Sequence, residues 1–218
     1  MLVKTLKTLL AAALIMSANS ISAQDNIQLP SPIREGGMPL SEALSSRHST
    51  REFDPSKPVD KQLLSNLLWS ANGINRPSSG HRTNPTALNS QEIDVYLIDK
   101  SGAYLYDAAS NFLLLIAEGD HRGLVAGTAG FSQDFVKEAP ISLVIVGDYG
   151  KFDRDPDQAM LTTMCDAGIV CQNINLFCSA NGLATVPRMT MDVAGLAKVL
   201  KLKPTQRAIL NNPVGYAR

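Results

Sequence analysis

The chain has 218 residues, 44% of them hydrophobic, and sets 20 basic residues against 20 acidic ones. That length and apolar content can bury one sizeable core and exclude a disordered or repeat protein. Zero net charge excludes a general field for nucleic acid or an anionic membrane, so any anion must be held by local geometry, and the expected partner is a small molecule.

Residues 1–23 carry the pattern of a secretory signal peptide. Lys4 and Lys7 precede an uninterrupted apolar run from Leu9 to Met16, and Ser20-Ile21-Ser22-Ala23 offers small residues for cleavage. The run is too short to span a bilayer, and no Cys follows it for a lipid anchor. The expected product is exported to a periplasm and begins near Gln24; an uncleaved anchor or buried helix is the alternative. Residues 24–38, with Pro30, Pro32, Gly36 and Gly37, read as an exposed leader into one domain at 39–218.

Within that domain, Ser41-Glu42-Ala43-Leu44 begins a short helix with Arg47 at its end. Val59-Asp60 precedes a second helix at 61–71, which has Leu63, Leu64, Leu67 and Leu68 on one face and Gly73 as a glycine terminator. Residues 74–91 form a polar connection long enough to carry function. A strand at 93–98, a short partner at 103–106, a helix at 108–118 and a buried strand at 141–146 are expected next. The longest helix, 157–181, is apolar on more than one face and suits both a core and a subunit interface. A helix at 191–200 and a last strand at 209–216 complete the chain. The irregular spacing of helices and strands favours α+β over a doubly wound sheet, and neither G-x-G-x-x-G nor G-K-[ST] occurs.

Cys165, Cys171 and Cys178 all fall in the longest helix. Cys171 and Cys178 would be about 10 Å apart along its axis, too far for a disulfide, so the three read as buried packing. With only His48, His81 and His121, and no C-x-x-C or H-E-x-x-H, no metal site is expected.

The segment Arg47-His48-Ser49-Thr50-Arg51 concentrates two guanidiniums, an imidazole and two hydroxyls in five residues. Planar Arg forks match phosphate oxygens, and a hydroxyl adds a neutral donor. A solvated basic turn after a helix is the plain alternative for this segment alone.

Two further segments join it. Pro85-Thr86-Ala87-Leu88-Asn89-Ser90-Gln91 and Gly182-Leu183-Ala184-Thr185-Val186-Pro187-Arg188-Met189 stand at characteristic distances along the chain. Together the three resemble the flavin-contacting segments of the FMN-dependent nitroreductase family: its R-[RH]-S-x-[RK] motif, its P-S-x-x-N-x-Q loop, and its G-L-x-x-x-P turn after the long helix. Gln133-Asp134-Phe135-Val136-Lys137-Glu138-Ala139-Pro140 and Pro213-Val214-Gly215-Tyr216 extend the resemblance over nearly all of the chain beyond the signal segment. Residues 92–107 look most like the branch that includes azoline dehydrogenases of thiazole- and oxazole-forming systems.

The resemblance implies a nitroreductase-like α+β fold, with a central mixed sheet flanked by helices and the long helix at the interface of a homodimer. It implies FMN as cofactor, with Arg47 and Ser49 at the phosphate or ribityl end. Arg51 would reach the pyrimidine side of the ring, where a fixed cation raises the reduction potential. Pro85, Thr86, Ala87 and Asn89 would line the flavin from the other subunit, and the backbone at Pro187, Arg188 and Met189 would face N5. His48 and Gln133 are further candidates, each beside a simpler reading as a surface histidine or a support of the preceding turn. Thr86 and Ala87 stand where the family often has Ser, which removes a side-chain hydrogen bond to the flavin. Arg218 is the candidate for the phosphate contact that basic residues beyond V-G-Y make in many relatives.

The implied activity is hydride transfer through flavin N5 to or from a small conjugated substrate such as a nitroaromatic or quinone, with no side-chain acid or base required. Export would separate such an enzyme from reduced nicotinamide. An exported dehydrogenase oxidising a C–N or C–C bond, or a flavin-binding envelope protein without turnover, are the alternatives.

Overall fold

The computed structural model describes residues 26–218, so the expected signal segment at 1–23 lies outside the described residues. The chain runs β1 (Ile27–Gln28), α1 (Leu40–Ser46), α2 (Lys61–Asn72), β2 (Ile74–Arg76), β3 (His81–Arg82), β4 (Ile93–Ile98), β5 (Gly102–Asp107) and β6 (Phe112–Glu118). It continues through α3 (Arg122–Ala126), β7 (Gly127–Thr128), β8 (Phe131–Ser132), β9 (Ile141–Asp148), α4 (Pro156–Ala180), β10 (Ala184–Thr185), α5 (Val193–Val199) and β11 (Gln206–Gly215). Among the described residues, no helix is long and apolar enough to cross a membrane.

Seven strands form one sheet in the order β1-β6-β5-β4-β9-β11-β10. Alternating side chains explain why its centre is apolar at nearly every position. Val95, Leu97, Leu143 and Ile145 face a core shared with α2 and α4. Tyr96, Ile98, Val144 and Val146 face a second core shared with α3 and α5. A strand covered on both faces reads as a continuous hydrophobic run rather than an alternation, and all eight residues of β9 are buried.

Local chemistry starts the helices. Asp60 accepts the backbone N–H groups of Gln62 and Leu63, both at 2.9 Å, and caps α2. Asp155 caps α4 in the same way, with Pro156 in the first turn where its missing N–H costs nothing.

The α+β class holds, and five expectations are corrected. Residues 108–118 are not a helix: Asp107 accepts from Ala109 N–H and Ser110 Oγ, Asn111 takes a left-handed φ of 56°, and β6 follows. The run Phe112 to Ala117 is apolar on both faces because it sits in a sheet covered on both sides, which periodicity alone cannot separate from a buried helix. Part of the leader is not exposed, since Ile27 and Gln28 pair with Leu113 and Phe112 and Leu29 is buried. Gly73 ends α2 with φ −76°, not left-handed; a Cβ there would lie 2.3 Å from Trp69 Cδ1, so close approach is what requires glycine. Cys165 is exposed, while Cys171 and Cys178 are buried as expected. The sheet expected to be mixed is antiparallel in every pair among the described residues.

Gly147 on β9 sets how closely α4 lies on the sheet. A Cβ at this position would meet Thr163 Cγ2 of α4 at 2.1 Å and Ile209 Cδ1 of β11 at 2.8 Å. The substitution Gly147→Ala is expected to overpack this contact and destabilise the fold by about 1–3 kcal/mol. Urea unfolding checks it: an unchanged midpoint would show that α4 is free to move outward.

Candidate functional site

The first segment leaves α1 at Arg47, whose N–H still donates to Ala43 O. The chain then runs extended and is stitched to two distant stretches. Thr50 N–H donates to Thr185 O at 3.0 Å, beside β10, and Asp54 N–H donates to Tyr216 O at 2.9 Å. Phe53 forms a β-bridge with Ala217, and Arg218 N–H donates to Glu52 O. A cleft of about 550 Å³ opens at this junction, with His48, Thr50, Asn175, Ser179, Thr185 and Ala217 in its wall. His48 sits with Nδ1 2.8 Å from Ser46 O.

Beneath the cleft lies a polar network inside otherwise apolar elements. Asn212 Nδ2 donates to Asn175 Oδ1 at 2.9 Å and to Thr185 Oγ1 at 3.1 Å, and Thr185 Oγ1 donates to Pro213 O. Each group is buried and partnered, so the network fixes α4, β10 and β11 relative to one another. These residues were missed in the sequence. The available signal was an Asn within each of two apolar runs, at 175 and at 211–212.

Arg188 does not offer its side chain to solvent. It is 6% exposed, and its guanidinium makes four hydrogen bonds: Nε to Gln133 Oε1 at 2.9 Å, Nη1 to Asn211 Oδ1 at 2.6 Å and Val125 O at 3.0 Å, and Nη2 to Ala126 O at 3.1 Å. All four acceptors are neutral, and no carboxylate pairs with it among the described residues. Burial, and then the Arg51 guanidinium, pull its pKa down to about 10. Gln133 is therefore a support of Arg188, and the arginine remains an uncompensated buried cation. Phe135 presents its ring to Arg188 and stacks on Phe53, which closes the link back to the first segment.

Arg47, Ser49 and Arg51 lie toward the surface, Arg51 within electrostatic reach of Arg188, and neither arginine forms an ion pair among the described residues. Arg218 differs, since its guanidinium engages Glu138 at 3.1 Å. Pro187 and Met189 are exposed, and Met189 opens onto a separate cleft of about 560 Å³ shared with Met160, Met164 and Met191.

The second segment lies elsewhere. Ala87 N–H donates to Asp166 Oδ2 at 2.8 Å, whereas the first segment meets α4 where Ser46 Oγ and Ser179 Oγ lie 2.8 Å apart. Thirteen residues of helix separate these anchors, about 20 Å along the axis. Within one protomer the first segment, Gln133, Arg188 and Arg218 are linked, Pro187 and Met189 are exposed beside the separate methionine-lined cleft, and Pro85, Thr86, Ala87 and Asn89 stand at the Asp166 anchor.

The nitroreductase family profile matches residues 44–216. Among curated proteins, none matches the chain. A Ralstonia eutropha protein provisionally described as a nitroreductase is 35% identical, with a TM-score of 0.81 over 91% of this chain and 92% of that one. A similarly described Anabaena variabilis protein is 18% identical, with a TM-score of 0.72 over 88% of this chain and 42% of that one. A chain of the E. coli microcin synthetase McbBCD complex with truncated pro-MccB17 bound is 16% identical, with a TM-score of 0.67 over 92% of this chain and 84% of that one. These last two likenesses show the fold alone. The family match, spanning all three segments and the buried network that joins two of them, establishes that this chain belongs to the nitroreductase family.

Proposed function

We propose that the protein is a homodimeric FMN-dependent oxidoreductase acting on a small conjugated substrate such as a nitroaromatic or quinone. The observation that carries this reading is a cluster of cations without counterions: Arg188 buried among neutral acceptors, with Arg51 close enough to depress its pKa. A chain with no net charge gathers positive potential at one point, which suits an anionic ligand.

The donor set fits FMN. Arg47 and Ser49 would hold the phosphate or ribityl end by charge-assisted hydrogen bonds, and Arg51 would hold the pyrimidine edge. Bound FMN supplies hydride acceptance and donation at N5. Pro187, Arg188 and Met189 would position the ring through a backbone that the buried guanidinium keeps fixed. Gln133 acts through Arg188, and no side chain is asked to move a proton.

The second subunit follows from the distance between the anchors on α4. The first segment meets α4 at Ser179 and the second at Asp166, so Pro85, Thr86, Ala87 and Asn89 would serve the partner's flavin. The uncovered apolar side of α4 supports such pairing: Leu161 is 64% exposed, and Met164, Cys165, Gly168 and Ile169 continue the stripe. Export, read from residues 1–23, remains part of the proposal and makes a donor other than reduced nicotinamide the expected one. The azoline-dehydrogenase branch is the narrower reading, and the likeness to the microcin synthetase chain is consistent with it at the level of fold.

Two outcomes test the proposal. Arg51→Ala should weaken FMN binding ten- to a hundredfold, about 1.5–3 kcal/mol, and lower the flavin midpoint potential. Lys61→Ala, on the exposed start of α2, should change neither. Titration of both apoproteins with FMN and a potentiometric measurement decide; recovery of FAD alone from the purified protein would refute the cofactor.

Ile169→Lys places a charge in the apolar stripe of α4 and is expected to give a monomer with weakened FMN binding. Light scattering and FMN titration of the same sample check this together. A monomer that keeps wild-type FMN affinity would rule out a site built from two subunits.

A further inference from the structure

We propose that Glu92 and Asp166 share a proton, and that this acid pair is a latch holding residues 86–91 in their bent shape until the proton leaves. The functional consequence rests on the reading that this loop lines a flavin.

Glu92 is completely buried and Asp166 is 6% exposed. Ser90 Oγ donates to Glu92 Oε2 at 2.6 Å, and Ala87 N–H donates to Asp166 Oδ2 at 2.8 Å. The other Glu92 oxygen, Oε1, is buried with no hydrogen-bond partner, and no cation pairs with either acid among the described residues. The neighbouring charged groups have other partners. Arg82 donates to Gln91 Oε1 and Asn72 O, and Lys151 donates to Gln91 O. Asp148 accepts from Thr205 and Gly150, and Asp94 accepts from Gln206.

Two ionised carboxylates in this setting would be desolvated, uncompensated and mutually repelling. One proton removes the repulsion and halves the buried charge. A Glu92 O–H directed at the Asp166 carboxylate gives the orphan oxygen a role, removes one charge and leaves Asp166 as acceptor for Ala87. The Glu92 pKa is raised to about 6: burial raises it most, the Ser90 hydrogen bond lowers it, and Asp166 raises it.

The loop above needs such a hold. Leu88, Asn89 and Gln91 have φ of 56°, 53° and 48°, a region that residues other than glycine rarely occupy. Leu88 is 82% exposed, so packing does not impose the shape from above. The two ends are pinned from below by Asp166 and Glu92, with Thr86 Oγ1 accepting Gln91 N–H at 3.0 Å across the loop.

The sign follows from linkage. A raised acid pKa means that the folded chain keeps a proton the unfolded chain has released; stabilisation is full below the ordinary value of 4.5 and lost as pH rises through about 6. On loss the Glu92 O–H bond breaks, the proton passes to water, and two carboxylates face each other.

Amide exchange at Ala87 in the FMN-loaded protein, corrected for intrinsic rates, reads the latch directly. Wild-type protection should fall by up to about tenfold per pH unit between 4.5 and about 6 and level off above that range. Glu92→Gln, whose amide N–H replaces the acid O–H, should stay protected throughout, while Asp166→Ala should be unprotected at every pH. Carbon-13 titration of the Glu92 carboxyl gives a second measurement should Asp166→Ala fail to fold. Identical pH profiles in wild type and Glu92→Gln, or a Glu92 midpoint at the ordinary carboxylate value, would overturn the proposal. FMN affinity across the same pH range separates the two readings. If it falls together with Ala87 protection, the loop lines the flavin; if protection titrates while affinity stays level, the latch stands and the flavin role of the loop falls.

Discussion

A buried guanidinium joins the elements from which the candidate site is built. Arg188 draws the carbonyls that end α3, the Gln133 side chain and Asn211 of β11 onto one planar group, so three stretches remote in sequence have fixed positions. Desolvating a cation without a carboxylate is costly, and its lowered pKa records that cost. Four hydrogen bonds and the face of Phe135 offset part of it. The rest remains as positive potential beneath the cleft. Arg51 lies near enough to add like-charge repulsion, so an anion seated there relieves both the burial and the repulsion. Arg188 thereby acts through the field it creates while its side chain stays out of reach.

The sequence was most legible where one kind of chemistry determines one kind of structure. Asp60 marks a helix start by capping, and α2 is found where it points. The uninterrupted apolar runs at 93–98 and 141–146 read as buried strands because both faces of the sheet are covered. The run at 112–117 carries the same pattern for the same reason, but the preceding Ala108-Ala109-Ser110 favours a helix locally. Pairing with β5 outweighed that preference, which a local reading cannot see.

The site was legible in its exposed parts and not in its buried ones. Arg47, Ser49 and Arg51 are recognisable because concentrated donors are rare in five residues. Arg188 looks in sequence like one more donor beside a turn; only the folded chain turns it inward onto two carbonyls. Asn175 and Asn212 sit in stretches whose apolar neighbours dominate any average, so their mutual hydrogen bond depends on the register of β11 against α4. The carboxyl pair is less visible still, because Glu92 and Asp166 are separated by 74 positions and neither belongs to a motif.

Helix α4 turns these separate features into one arrangement. Its buried face supplies Asn175 near one end and Asp166 nearer the middle, and its outer face is apolar between Leu161 and Ile169. A two-fold axis through that outer face would make the contact self-complementary, as closed dimers require. Antiparallel pairing of the two helices would then set the C-terminal half of one beside the N-terminal half of the other. An axis through a stripe centred near residue 165 passes level with Asp166 in both protomers, so the two loops that the Asp166 side chains hold would stand at the same height along the seam.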